Sequence, residues 1–334
     1  MDTLLNIQQA LFAQIKAKIP ANLSFVHEVA ELLGISYDSA YRRIRGEKDL
    51  SLEELFKLAV HFNISVDNLF NIKQQSVIFN YQPLKPGEFE IKNWLQVILK
   101  DIKGIHESKE KEIIYAAKDP PVFHYFQFPE IAAFKVFFWA KTLFQFPEYE
   151  DLLFRLDDSD PEVLSIGNQI LRTSTKIPTI EIWNEDTFYI LFRQIEYYWV
   201  SGYFVKKDDL YNLIEKMDLW VRHIQKQAQY GYKYMYGDSP EGIENSFMLY
   251  ENEVVLNDNT IFVKIDSVPA VYLTYNVLNV LKTRDPAFCK NIETYLKGLL
   301  TESNLISLTG SKERNRFFNR LLQNIEQFKS KLDI

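Results

Sequence analysis

Along the first seventy or so positions, apolar residues recur with the period of short helices, and turn-forming residues interrupt them. Leu4, Leu11, Phe12, Ile15 and Ile19 share one face of a first amphipathic helix. After Ser24, a good N-cap, Val26, Val29, Ala30 and Leu33 follow at i, i+3, i+4 and i+7 as the apolar face of a second. Gly34 stands at its end, where the left-handed backbone of a helix stop costs glycine least. Ile35 plugs the turn, and Ser36 caps a third helix whose Ala40, Tyr41 and Ile44 form the predicted buried stripe. That phase leaves Tyr37, Asp38, Ser39, Arg42 and Arg43 facing outward, and Gly46 closes the helix. Ser51-x-x-Glu54 has capping-box spacing and opens a fourth helix, with Leu52, Leu55, Phe56 and Ala59 expected inside. Ser65 caps a last short helix carrying Val66, Leu69 and Phe70.

The pattern then loosens. Lys73-Gln74-Gln75, a short apolar run (Val77, Ile78, Phe79, Tyr81) and the breakers Pro83, Pro86 and Gly87 mark residues 73–90 as a linker, the run being a candidate strand or clasp. Helical spacing returns at 92–108 (Trp94, Leu95, Ile98, Leu99, Ile102). The stretch 112–126, split by Pro120-Pro121, reads as short strands or a bent loop. Helices are expected at 129–145, 147–156, 161–173, 184–201, 207–229, 286–300 and 311–332. Asp160-Pro161-Glu162 opens one of them as cap, first-turn proline and acidic first turn. Between 246 and 275 the period changes to that of strands, with Asn257-Asp258-Asn259 as the turn of a hairpin. The expected fold is α+β, mainly α: a five-helix module over 1–72, the linker, and a larger mostly helical domain with a β-hairpin over 91–334.

The run AELLGIS resembles the phage-repressor (Cro-like, XRE) helix-turn-helix family. Ala30, Gly34 and Ser36 stand where that family has its small helix-2 residue, its turn glycine and its recognition-helix cap. SLEELFKLAVHFNISVDNLF is similar to the family's closing pair of helices. One departure is visible. Nine positions after the turn glycine, where the family has an apolar residue, this chain has Arg43, with Ile44 at ten. Which of Arg42 and Arg43 points at bases is therefore open. The resemblance implies that the third helix reads the major groove of double-stranded DNA. On that reading Ser36, Tyr37, Asp38, Ser39 and Arg42 are candidate cap and base-edge residues, and Arg43, Arg45 and Lys48 are candidate phosphate contacts. Asp38 is equally well explained as a helix-start charge.

Charge bears on how such a module works. Residues 1–75 carry eight Lys/Arg and nine Asp/Glu, a balance of −1, leaving −6 of the chain's −7 to the remainder. A protein that coats DNA without sequence preference is basic. This one has to present its few cations twice, so a homodimer on a palindromic operator is expected, with half-sites about 34 Å apart or at multiples of that. Of 49 Phe, Tyr and Trp residues, 42 lie beyond position 75. They cluster at Phe123-His124-Tyr125-Phe126, Phe137-Phe138-Trp139, Tyr197-Tyr198-Trp199 and Tyr230, Tyr232, Tyr234, Tyr236. Core, protein interface and effector pocket are the alternatives for these clusters, with 230–236 the best surface candidate.

Catalytic chemistry finds no motif. The five histidines (His27, His61, His106, His124, His223) lack metal-ligand spacing, and no phosphate-cradling glycine loop or nucleophile motif occurs. Asp157-Asp158-Ser159-Asp160 lacks the glycine and final glutamate of a calcium loop. Cys289 is the single cysteine, which excludes a disulfide framework or a cysteine-caged metal. With no signal pattern and no long apolar run, a cytoplasmic location away from membranes is expected. The sequence thus predicts a non-enzymatic transcriptional regulator without cofactor, whose C-terminal domain dimerises or senses a small-molecule or peptide effector. The competing class is a scaffold that keeps the helix-turn-helix fold without binding DNA.

Overall fold

The computed structural model describes residues 2–20, 23–66, 69, 77–81, 90–254, 258–275 and 279–332. Backbone contacts divide the chain into two units, Met1–Ile78 and Phe79–Ile334. The fold is α+β and mainly α, with about 58% helix among the described residues.

The first unit holds α1 (Asp2–Lys18), α2 (Phe25–Leu33), α3 (Tyr37–Ile44) and α4 (Leu52–His61). Gly34 adopts φ 65°, and the amides of Gly34 and Ile35 close on the carbonyls of Glu31 and Ala30. A side chain there meets a left-handed backbone, so the tight α2–α3 turn depends on glycine. Leu11, Phe12, Ile15, Val29, Ala30, Leu33, Ala40, Leu58, Ile64 and Leu69 form the core. The closing helix that starts after Ser65 falls largely outside the described residues, as do Phe70, Lys73-Gln74-Gln75, Pro83, Pro86, Gly87 and the side chain of Leu4.

Two expected phases are corrected. In α3, Tyr41 is exposed and Arg43 is buried, at 5% exposure, because the helix keeps the position nine after Gly34 facing the core. In α4, Leu58 and Ala59 are buried and Leu55 half-buried, while Leu52, Phe56 and Val60 are 83%, 66% and 63% exposed. This helix has apolar residues on two faces, and the core takes only one of them.

The second unit is built on a seven-stranded mixed sheet. Its strands are β1 (Lys111–Ala116), β2 (Thr179–Trp183), β3 (Phe247–Glu251), β4 (Thr260–Ile265), β5 (Ala270–Thr274), β6 (Val280–Thr283) and β7 (Asn304–Leu305), in the order β6-β5-β4-β1-β2-β3-β7. β1, β2 and β3 run parallel, and the other pairings are antiparallel. Parallel neighbours require crossovers. Between β1 and β2 the chain forms a 3-10 stretch (Val122–Gln127), α6 (Pro129–Phe138) and α7 (Pro161–Ser174), with α5 (Ile91–Glu107) preceding β1. Between β2 and β3 it forms α8 (Glu185–Val200) and α9 (Lys207–Tyr230). α10 (Pro286–Thr301) and α11 (Ser311–Lys331) complete the unit.

Alternate residues of β1 serve opposite faces. Ile113 and Tyr115 enter the large core with α5–α9 and α11, whereas Ile114 and Ala116 pack with Phe262, Val271, Cys289 and Leu296 toward α10. The hairpin expected around Asn257–Asn259 is not formed by its flanking strands. β3 and β4 are separated by β1 and β2, and the hairpins are instead β4–β5 and β5–β6. Asn257 itself lies outside the described residues. The helix expected at 147–156 is also absent: a 3-10 turn covers Pro147–Tyr149, and Phe154 makes an isolated bridge to Phe204.

Candidate nucleic-acid interface

α3 begins on a built cap. The Ser39 amide donates to Ser36 Oγ at 3.3 Å, and the Ser36 hydroxyl donates to Ser39 Oγ at 2.9 Å, so these two serines hold each other. Tyr37, Asp38, Tyr41, Arg42 and Arg45 then occupy i, i+1, i+4, i+5 and i+8, one continuous exposed face, with Lys48 exposed just beyond. Ser36 is also exposed, and Ser39 is half-buried. Tyr41, expected in the core, adds its ring to this face with the Arg45 guanidinium 5.5 Å from the ring centre. Glu47 sits between the two exposed arginines, 3.3 Å from Arg45 Nε and 4.0 Å from Arg42 Nε. The carboxylate therefore competes with any anion those arginines would hold.

Arg43 does something else. Its Nη2 and Nε donate to the two carboxylate oxygens of Glu54 at 2.7 and 3.0 Å, and Nη1 donates to the Ser39 carbonyl at 3.1 Å. Glu54 also accepts from the Ser51 amide at 3.0 Å while its own amide donates to Ser51 Oγ, completing the capping box of α4. The Arg43 guanidinium holds the Glu54 carboxyl below its ordinary value of 4.5. One buried fork thus ties α3 to the start of α4 and takes Arg43 out of the phosphate-binding set. Apolar burial still carries most of the module's stability, at ~1.5–3 kcal/mol per fully buried large side chain. A buried ion pair is often close to neutral against an apolar replacement, so its value here is register.

Gln8 was not foreseen from the sequence. From α1 its Nε2 donates to the carbonyls of Arg43 (2.7 Å) and Lys48 (2.9 Å), and its Oε1 accepts from the Leu50 amide (3.0 Å). It fixes the loop that carries Arg45 to Lys48. The available signal was a lone amide on the apolar face of the first helix.

In the second unit the first three aromatic clusters are mainly core. Phe123, Tyr125, Phe126, Phe138, Trp139 and Tyr198 are buried, while Tyr197 is exposed. Polar groups are buried with them. His124 Nε2 lies 3.0 Å from both Glu181 oxygens, and Trp183 Nε1 donates to the same carboxylate at 2.9 Å. Lys233 donates to Thr179 Oγ1 at 2.7 Å, and Lys135 donates to Gln194 Oε1 at 2.9 Å with its Nζ 4.5 Å from the Tyr125 ring centre. Burial pushes both lysines down to about 8. The tyrosine run divides: Tyr230 and Tyr232 stack at 5.6 Å, Tyr234 is buried and Tyr236 exposed. Tyr234 lines a cleft of about 830 Å³ at the entry ends of the parallel strands, with Lys111, Arg172 and Lys176 on one side and Asp238, Glu241 and Glu244 on the loop before β3. A second, more aromatic hollow of about 420 Å³ is lined by Phe137, Phe146, Tyr149 and Phe154. Among the described residues no cluster of His, Cys, Asp and Glu could hold a metal ion, and no helix is long and apolar enough to cross a membrane.

The helix-turn-helix geometry defines a class, and comparison with known families agrees at that level. Residues 9–90 match the family model of the BetR domain, a helix-turn-helix-like transcription-regulator domain. The match points to a DNA-binding regulatory role and covers about a quarter of the chain, so it speaks for the N-terminal part alone. It does not single out the phage-repressor branch. No curated protein and no solved structure matches the chain.

Proposed function

We propose that this chain is a sequence-specific transcriptional regulator that binds a palindromic operator as a homodimer, with its C-terminal unit sensing an effector or holding the dimer together. The continuous exposed face of α3 is the observation that carries this reading. Tyr37, Asp38, Ser39 and Arg42 are assigned to base edges, Arg45 and Lys48 to phosphates, and Ser36 to the cap that aims them. Arg43 has no such role, since its guanidinium is committed to Glu54. An arginine donating bidentately to guanine gives about 1–3 kcal/mol of discrimination. No catalytic role or cofactor is assigned, and action on DNA implies a cytoplasmic location.

The cleft of about 830 Å³ supports the sensor reading, being of a size suited to a small molecule or short peptide. An effector there changes DNA binding only through different affinities for two arrangements of the dimer. Selection of bound sequences from random DNA tests the whole: a palindromic site enriched by the native chain and lost on Arg42→Ala is expected. Glu47 favours a second reading. It counters the two arginines of α3 in a module whose net charge is already −1, as a scaffold that retains the fold without the ligand would allow. No enrichment with either the native chain or Glu47→Gln decides for that scaffold.

A further inference from the structure

The exposed apolar residues of α4 have a geometry of their own. Leu52, Phe56 and Val60 recur every four residues, so they form a single ridge about 12 Å long on a helix whose other apolar face is in the core. Leaving three large apolar side chains in water on a ten-residue helix is a cost that a partner removes. We propose that this ridge is a self-association surface, on which α4 of one chain crosses α4 of a second copy in antiparallel fashion about a two-fold axis at Phe56.

Two features select a second copy over another partner. First, ridges made of every fourth residue pack into one another at about −50°, the commonest helix crossing, and a two-fold axis supplies identical ridges from both sides. Leu52 then lies beside Val60 of the partner subunit, and Phe56 beside Phe56 of the partner subunit. Second, the flank is self-complementary in charge. Glu53 and Lys57 lie side by side on one edge of the ridge, 2.7 Å apart within the chain. A two-fold axis perpendicular to the plane of the two helices keeps equivalent edges together. It sets Glu53 within about 3 Å, along the axis, of Lys57 of the partner subunit, and the reciprocal pair likewise. Two helices this short bury less than the roughly 1,000 Å² a stable complex needs. The contact is accordingly weak between free chains and strengthened when both are held on one operator, where their effective concentration is high. In that respect the inference rests on the dimeric-regulator reading and names its contact.

Cysteine scanning in the full chain tests it. Cys289 is the native thiol and is buried, so an introduced thiol reports alone. Helix axes about 8–10 Å apart leave the two Cα atoms at position 56 roughly 3.5–5.5 Å from each other at closest, a range that overlaps disulfide reach. Under mild oxidation Phe56→Cys is expected to form a covalent dimer at least tenfold faster than Asp38→Cys, an exposed control on α3. Phe56→Glu, at a solvent-exposed position that leaves the fold intact by circular dichroism, is expected to weaken self-association at least tenfold in sedimentation. Glu53→Lys and Lys57→Glu each weaken it, and the double exchange restores it. Equal cross-linking at positions 56 and 38, or a Phe56→Glu chain that associates as the native one does, overturns the proposal. DNA selection separates the two readings. A Phe56→Glu chain that still dimerises and selects a palindrome refutes this contact alone. Rapid Phe56→Cys cross-linking in a chain that selects no DNA upholds the contact and refutes the operator reading.

Discussion

Position 43 shows how one residue can be basic and still belong to the interior. Arg43 fills the place of an apolar side chain because Glu54, eleven residues on, supplies a carboxylate in fork geometry. Arg43→Ala leaves that part-buried carboxylate without its fork and should cost the first unit about 1–3 kcal/mol. Arg43→Leu combined with Glu54→Gln is expected to restore most of this. All five tryptophans lie beyond position 90, so tryptophan fluorescence reports the second unit and hydrogen exchange of α3 and α4 amides is the measurement for the first. The pH sign follows from the pair. Glu54 is lower in the folded chain than its free value of 4.5, so its contribution is complete above that value and lost as pH falls through the folded one. At the same scale, in the proposed operator complex Glu47 would compete with DNA for Arg42 and Arg45, which it faces. The close Arg45 pair is worth ~0.2–1 kcal/mol per chain, so Glu47→Gln should raise operator affinity roughly two- to thirtyfold per dimer, with a steeper salt dependence. Unchanged binding in a salt titration would contradict that role.

Elements differ in how far their neighbours can be read ahead of structure. The α2–α3 turn was legible because its determinants are local: Gly34 has to be left-handed and Ser36 has to cap. α5, α7, α8, α9, α10 and α11 fall within one or two residues of the bounds their spacing predicts, since each has one clear apolar face. The phase of α3 and the inner face of α4 were not legible. One depends on a pairing eleven residues away, and the other on a choice between two apolar faces that periodicity treats alike. Nor was the sheet. β2 reads TIEIW, whose brief polar–apolar alternation suggests one wet face, whereas the strand is buried on both, with Glu181 satisfied inside by His124 and Trp183. Of the candidate site, the exposed face of α3 was foreseen apart from Tyr41, whereas Arg43 and Gln8 take structural places. Packing between elements gives a paired prediction. A Cβ at Gly167 in α7 would lie 1.9 Å from the Phe126 ring, whereas one at Gly104 in α5 meets nothing within 4 Å. Gly167→Ala should therefore destabilise the second unit by about 1–3 kcal/mol, and Gly104→Ala stabilise it by about 0.4–1 kcal/mol. Denaturant midpoints followed by tryptophan fluorescence check both, and equal shifts for the two would refute the packing between α7 and the 3-10 stretch.

Across the whole molecule, the two units answer to pH through different chemistry. The first is held by a carboxylate that must stay ionised, so acid is its weakness. The second buries bases. Lys135 and Lys233 are pushed from 10.5 to about 8, and His223 from 6.5 to about 4, chiefly by desolvation. Between the folded and free values of each group the unfolded chain binds more protons, and stability rises with pH there. The second unit should therefore gain stability from pH 4 to 6.5 as His223 ceases to be a liability, and again from pH 8 upward as the lysines do. Tyr115, Tyr125 and Tyr272 set the upper limit. Burial raises all three above 10, so past that pH the unfolded chain ionises first and stability falls again. Midpoints read by tryptophan fluorescence should thus climb between pH 7.5 and 9.5, where most proteins are flat or declining. Lys135→Met, which keeps the length of the side chain among Tyr125, Phe138 and Trp139 without its charge, should remove part of that climb and raise the midpoint at pH 7.5. A flat native profile over this range, or a Lys135→Met profile parallel to the native one, would show that the two amines are hydrated in the folded chain.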